Sequence, residues 1–319
     1  IQKRTYSASD LVTDGTQSGV FAEVSRYELV NSKGLQLSNT VSLQGVFVQA
    51  VVNKDGEAQE AFDFKMGLED TEALSSKAVA EAISKVGASQ IPSGRYKIVI
   101  DGKQMRSLLS AFSSVFSGKN ALLGLSLLAG KEGEQIASEC VTLIDDPMPS
   151  GSTVTAPFDG EGVATYKKSV IENGVLKTLL YDLAYAQKAG VKSTANGQRG
   201  SYASGVNIAP FCFYIKQGEL TEEELLQRTG DGIYVTELKG LHAGANAVTG
   251  DFSIESAGFL IESGKLGKAV KGFTIAGNFF ELLRNIQALS NSVKFGIPSG
   301  FTSFGAPDVA LGEMSVAGV

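Results

Sequence analysis

The side chains that could do acid–base, nucleophilic or metal chemistry are few in this chain and lie far apart. Among 319 residues there is one histidine, His242, and two cysteines, Cys140 and Cys212. One histidine excludes every motif that needs two in one chain, including the HExxH helix of zinc hydrolases. A Ser–His–acid or Cys–His arrangement would have to run through His242. His242 could act as a base, ligate a metal, or meet a peptide or partner from its loop. The competing reading is a structural histidine in a glycine-rich turn, with its ring bonded to backbone. A closed zinc site needs three donors besides one imidazole, and Cys140, Cys212 and His242 show no ligand spacing. The adjacent acids Asp145 and Asp146 could hold a cation, but two carboxylates alone are weak grounds for one. Glu222, Glu223 and Glu224 read as carboxylates that favour a helix N-terminus. Arg284 and Asn285 read as a solvated helix face.

The loop over 240–250 is rich in glycine but has neither GxGxxG nor GxxxxGK[ST], so it does not read as a phosphate cradle. Its glycines permit a tight path. Asn246, Thr249 and Asp251 could bond their own backbone as turn formers, or face a peptide or partner.

These residues need a scaffold to position them. Hydrophobic content of 43% and charged content of 19% describe a folded globular chain. At this length a core forms without disulfides or metal. Net charge is 28 − 34 = −6, which argues against a nucleic-acid partner, since phosphate affinity needs clustered Lys and Arg. Two cysteines with no CxxC suit a reducing cytoplasm. No apolar run reaches the ~18–20 residues of a membrane span. The longest, 121–129, contains Gly124 and Ser126. Residues 1–10 do not read as a signal peptide. With no initiating Met, the chain reads as a processed form or a fragment.

Many glycines and few prolines suit tight hairpins. Strands are predicted over 27–30 and 35–37 around the turn 31–34, and over 41–52 and 57–65 around Asp55-Gly56. Asp70 is expected to cap a helix over 72–86, with Leu74, Ala78, Ala82 and Val86 as its apolar stripe. A domain boundary is placed near residue 91. Beyond it come a strand over 96–100, a helix over 104–116, a loop over 145–152, and strands over 164–171 and 175–181 around Asn173-Gly174. A short helix runs from Asp182 to Gly190, and a polar surface loop covers 192–205. Thr221 and Glu224 form a capping box for a helix to about Arg228. Strands over 233–238, 257–261 and 269–273, a helix over 278–289 and a strand over 309–316 complete the chain. Strands dominate and helices are interspersed, so the fold class is α+β with mixed or antiparallel sheets.

The run over 240–253 reads Gly-Leu-His-Ala-Gly-Ala-Asn-Ala-Val-Thr-Gly-Asp-Phe-Ser. It resembles a signature of the TldD/PmbA (modulator of DNA gyrase) family, most closely its TldE (PmbA) type. Further motifs follow in the family's order: Ala156-Pro157-Phe158-Asp159-Gly160-Glu161-Gly162-Val163, then Glu172-Asn173-Gly174-Val175-Leu176, Ile261-Glu262-Ser263-Gly264 and Phe273-Thr274-Ile275-Ala276-Gly277-Asn278. The agreement runs from about residue 93 to Gly318 and is looser over 1–91. The resemblance implies two domains: 1–91 as the remainder of an N-terminal domain whose first segment is absent, and 92–319 as a C-terminal PmbA/TldD domain.

It also implies a cytoplasmic peptidase system. TldD-type members carry an HExxxH helix and a C-terminal Cys for zinc, while TldE-type members share the fold, lack that site and pair with TldD. At the matching helix this chain has Ser110 and Val115 at the ligand positions and Ala111 at the base position. Serine and valine supply no zinc donor, and alanine takes no proton from water. No Cys follows Cys212. The expectation is therefore a metal-free, non-catalytic subunit, with zinc only in a TldD-type partner. It would close a chamber around unfolded peptide during proteolysis or peptide maturation, with neither nucleic acid nor membrane as partner. The alternatives are a homo-oligomeric peptide- or protein-binding protein without peptidase activity, and a hydrolase built on His242 and a serine.

Overall fold

A computed structural model of the chain describes residues 1–69, 71–152 and 154–319. The chain divides into two compact units, and its fold class is α+β. The first unit comprises 1–27, 40–89 and 268–270. Its elements are α1 (Gln2–Ser7), most of β1 (Gln17–Val30) and of β2 (Gln36–Lys54), β3 (Glu57–Met66) and α2 (Glu72–Ser84). The strands form one sheet in the order β1-β2-β3. The turn at Asp55-Gly56 has positive φ at both residues, 53° and 88°, as a tight hairpin requires. Alternation along β2 sends Val46, Val48, Ala50 and Val52 to one face, where they pack with Leu74, Ala78, Val79 and Ala82 of α2. The expected capping residue Asp70 lies outside the described residues. Thr71 is the N-cap of α2, and no side-chain bond caps the helix there.

The second unit comprises 28–39, 90–267 and 271–319. In chain order it contains β4 (Gly94–Ile100), α3 (Gly102–Phe112), a 3₁₀ turn (Ser113–Phe116), α4 (Gly118–Leu122), β5 (Leu143–Asp146), β6 (Lys168–Glu172), β7 (Val175–Leu176) and α5 (Leu183–Ala189). Then come β8 (Gly197–Gln198), β9 (Asn207–Ile208), β10 (Cys212–Ile215), α6 (Glu222–Thr229), β11 (Gly232–Lys239), α7 (Leu241–Gly244) and β12 (Asp251–Glu262). The last elements are β13 (Lys265–Asn278), α8 (Phe279–Arg284), β14 (Ile286–Leu289), β15 (Lys294–Phe295), β16 (Ser303–Ala306) and β17 (Val309–Ala317).

One sheet runs β13-β12-β11-β4-β17-β14, and β13 also pairs with β17 through Thr274–Ala317, Ile275–Val316 and Ala276–Ser315. That last pairing closes five strands into a barrel and removes their edges. Within it β4 and β11 are parallel. The other large sheet runs β15-β16-β10-β5-β6-β7, with β10 and β16 parallel.

Several elements differ from the sequence reading. The helix expected over 278–289 stops at Arg284, because Ile286 and Leu289 enter a strand paired with β17. The strand expected over 175–181 keeps only Val175–Leu176, and Leu180 instead bridges to Ser117. Asp145 and Asp146 belong to a strand rather than a loop. Within the expected surface loop 192–205, Thr194, Ala195 and Asn196 are buried, since the Asn196 side chain bonds Asp145.

Candidate functional site

Helix α3 and the 3₁₀ turn after it carry Ser110, Ala111 and Val115, the positions that the resemblance matches to two zinc ligands and a base. The helix forms because Met105, Leu108, Leu109 and Phe112 make one apolar face, and all four are buried. Asp101 is its N-cap and accepts the Lys103 N–H at 2.7 Å. The Phe112 ring stacks on Phe279 at 4.6 Å and meets the edge of Phe252 at 6.3 Å. The α-helix ends there, and the chain tightens into the 3₁₀ turn, so the helix expected to reach 116 is one turn shorter. Ser110 is exposed on the last α-helical turn, Ala111 is half-buried, and Val115 is buried in the 3₁₀ turn. Among the described residues no group of three or more His, Cys, Asp or Glu is arranged to hold a metal ion.

The signature loop lies beside this helix. Its short helix α7 packs against both α3 and β12. Gly240 (φ 75°) turns the chain into α7, and Gly250 (φ 83°) turns it into β12. The Asn246 side chain accepts from the Val248 and Thr249 N–H groups at 3.0 and 3.3 Å. Thr249 Oγ1 accepts from the Asp251 N–H at 3.3 Å. Asn278 reaches across from the start of α8 and donates to the Thr249 carbonyl and to Asp251 Oδ1, both at 2.9 Å. Bonds from Asn278 and Thr249 hold the Asp251 carboxyl below the usual range. Asn246, Thr249 and Asp251 are therefore brought together as loop formers, with Asn278 as a brace whose role the sequence motif did not reveal. His242 lies exposed on α7.

Two buried polar clusters stand behind these surfaces. In the first, Lys294 Nζ lies 2.6 Å from Asp101 Oδ2 and 2.7 Å from Asp308 Oδ1. Tyr234 donates its hydroxyl to Asp101 Oδ2 at 2.9 Å, and Asp308 Oδ1 accepts the Gly102 N–H at 2.7 Å. Burial would raise the Asp101 carboxyl, but Lys294 outweighs it and holds the group below the ordinary range. Burial and the neighbouring carboxylates push the Tyr234 phenol far up. The cluster fixes the first turn of α3. Sequence spacing hid it, because its members come from four separate segments.

The second cluster holds Asp145. Its Oδ2 accepts from Lys168 Nζ at 3.0 Å and from Asn196 Nδ2 at 2.7 Å, and its Oδ1 accepts the Phe211 N–H at 2.7 Å. Asp146 projects to the opposite face of β5, where Lys167 pairs with it at 2.9 Å. The adjacent acids considered as a cation site thus point apart, each to its own lysine.

A sequence profile described as the PmbA/TldA metallopeptidase C-terminal domain matches residues 93–318, and one described as the central domain matches 2–86. This chain belongs to the PmbA/TldD metallopeptidase family. Among its relatives, an uncharacterized protein of Methanocaldococcus jannaschii is 31% identical over 86% of this chain and 64% of its own length. A Methanothermobacter thermautotrophicus protein named metalloprotease is 32% identical over 77% of this chain and 53% of its own. The chain thus spans roughly half to two thirds of the length of these curated relatives. TldE from Thermococcus kodakarensis has a TM-score of 0.89 at 26% identity, covering 99% of this chain and 72% of that one. A Thermotoga maritima protein described as a modulator of a DNA gyrase has a TM-score of 0.90 at 33% identity, with the same coverages. No helix among the described residues is long and apolar enough to cross a membrane.

Proposed function

We propose that this PmbA/TldD chain is a metal-free, TldE-like subunit of a cytoplasmic zinc peptidase, completing the chamber around a TldD-type catalytic chain and holding unfolded peptide. The observation that carries this reading is the triplet Ser110, Ala111 and Val115 on α3 and its 3₁₀ extension, where no side chain can donate to zinc or act as base. The likeness to TldE of Thermococcus kodakarensis supports it. Edge strands such as the fourteen-residue β1 offer backbone groups to which an extended peptide can add, giving affinity with little sequence preference. Asn246, Thr249, Asp251 and His242 line the loop beside α3 and are the surface to substitute first.

The test uses the purified chain alone and mixed with a TldD-type chain. Metal content by mass spectrometry is expected to fall well below one zinc per chain. Unfolded peptide is expected to be cleaved only in the mixture, and light scattering should show a complex larger than either chain. Chelator-sensitive proteolysis by the lone chain would overturn the reading. A stable self-assembly that ignores TldD-type chains would favour the homo-oligomeric binding protein instead.

A further inference from the structure

Residues 102–131 contain four basic residues, Lys103, Arg106, Lys119 and Lys131, and no acid. The rest of the chain therefore carries −6 − 4 = −10. Lys103, Arg106 and Ser110 follow one another at three- and four-residue spacing and share one face of α3, where Ser110 is exposed. Beyond the 3₁₀ turn the segment becomes apolar, and Leu122, Leu123, Leu125 and Leu127 are 45–56% exposed. These leucines are held in place. Ser126 turns inward between two of them, donates its hydroxyl to the Val115 carbonyl and accepts the N–H of the buried Leu128 at 3.2 Å. The Asn120 side chain donates to the Ser114 carbonyl at 2.9 Å, and the Leu125 N–H to the Asn120 carbonyl at 2.8 Å. The apolar surface is thus built onto the turn that carries Val115. Helix α5 packs beside α4 and widens the basic rim. Lys119 and Lys188 both set Nζ over the Tyr185 ring, 5.7 and 4.5 Å from its centre. The first acid after the leucines, Glu132, accepts the Tyr181 hydroxyl at 3.4 Å.

We propose that this surface docks an acidic, apolar segment of unfolded peptide, whose apolar side chains cover the leucines while its carboxylates meet Lys119, Lys131 and Lys188. The proposal rests on the peptide-holding role proposed above and names the class of peptide held. Burying half-exposed leucines supplies affinity, and the lysine rim supplies the preference for acids. The same rim argues against a second copy seated patch to patch, since two-fold symmetry would bring lysines against lysines. Position argues for a peptide. From Lys103 to Phe112, α3 rises roughly 14 Å, the reach of about four extended residues. Just past its end Ser114 is tied to Asn120 of the leucine segment. A chain laid along the outer face of α3 over Ser110 therefore meets basic groups first and the leucines next. Backbone pairing at a sheet edge gives little sequence preference; this surface adds one.

The test is fluorescence anisotropy of labelled, unstructured peptides on the full chain alone, which needs neither zinc nor a partner. One peptide has leucine and phenylalanine flanked by aspartate and glutamate. A second has the same apolar residues flanked by lysine, and a third keeps the acids with serine in place of the apolar residues. The first should bind about tenfold tighter than either other, and its lead over the lysine-flanked peptide should shrink as salt is added. Leu123→Ser with Leu125→Ser should weaken the first peptide about tenfold. Lys119→Glu with Lys131→Glu should reverse the preference between acidic and lysine flanks. Leu266→Ser, at a comparably exposed leucine on β13, should change nothing. If the leucine pair does not fold, the lysine pair decides. Equal affinity for all three peptides, or leucine variants that bind the first as the natural chain does, would overturn the docking site and leave peptide holding in place. Binding of no peptide would overturn both readings. Leucine variants that keep the peptide but lose the complex with a TldD-type chain would make the patch a subunit interface. Variants that lose only sedimentation with phosphatidylglycerol vesicles would make it a membrane-facing one, and either result overturns the proposal.

Discussion

Lys168 and Asp145 form an enclosed ion pair: Nζ lies 3.0 Å from Oδ2, and their side chains are 5% and 0% exposed. The pair survives burial because its remaining capacity is used. Asn196 and the Phe211 N–H fill the other positions on the carboxylate, and Asn196 Oδ1 accepts from the ammonium at 3.3 Å. Removing one partner leaves a charge with no solvent and no counter-ion. Lys168→Met should cost about 3–5 kcal/mol in urea unfolding. Asp145→Asn added to Lys168→Met should recover part of that loss. A double variant less stable than the single one would show that Asp145 matters through its backbone bond to Phe211 instead.

How much of this was legible in the sequence depends on the range of the interaction. The Asp55-Gly56 turn, the Thr221–Glu224 capping box and the Asp182–Gly190 helix were legible, since their donors, acceptors and positive-φ glycine lie within a few residues. The strand rule could find neither the Lys168–Asp145 pair nor Lys294 between Asp101 and Asp308. Those contacts are set by register between strands distant in the chain. The same applies to barrel closure, which rests on Thr274, Ile275 and Ala276 meeting the last strand. At the candidate site, residue types at 110, 111 and 115 were readable, but not that the helix gives way to a 3₁₀ turn between them.

The Thr221 capping box is complete. Thr221 Oγ1 accepts the Glu224 N–H at 3.2 Å, and the Glu224 carboxylate accepts the Thr221 N–H at 2.8 Å. Thr221→Ala leaves both the Glu224 N–H and its carboxylate without their partner hydroxyl. It should lower stability by about 1 kcal/mol, read as a lower denaturant midpoint with an unchanged slope. Thr221→Ser, which keeps the hydroxyl, should restore most of it.

Lys294 neutralises two buried carboxylates, so its loss should be felt most where those carboxylates are charged. Asp101 has its folded-state pKa depressed, with Lys294 outweighing burial. A depressed carboxylate contributes stability that is present above its unfolded pKa, near 3.9, and is lost as pH falls through the lower folded value. Lys294→Met should therefore cost about 3 kcal/mol at pH 7. The gap to the natural chain should narrow as the pH is taken down toward 3. Denaturant midpoints measured from pH 7 to pH 3 check this, and a gap independent of pH would mean that Lys294 acts by packing alone.

The two cysteines should differ sharply in reactivity. Cys212 is buried on β10 between β5 and β16, and its thiol is pushed up to about 11. Burial is the main cause; a bond from Ser303 opposes it, and the charges of Asp146 and Asp145 reinforce it. The thiolate is the nucleophile, so at pH 8 only about one Cys212 in a thousand is reactive even before access is considered. Cys140 is exposed. A thiol-specific disulfide reagent at pH 8 should therefore modify Cys140 rapidly in the folded chain and reach Cys212 only as the chain opens. Unfolding in guanidinium should expose both thiols at once. Cys140→Ser should abolish the fast phase and leave a slow one whose rate follows local opening of β10. Two equally fast thiols in the native chain would mean that the sheet around Cys212 opens freely in solution.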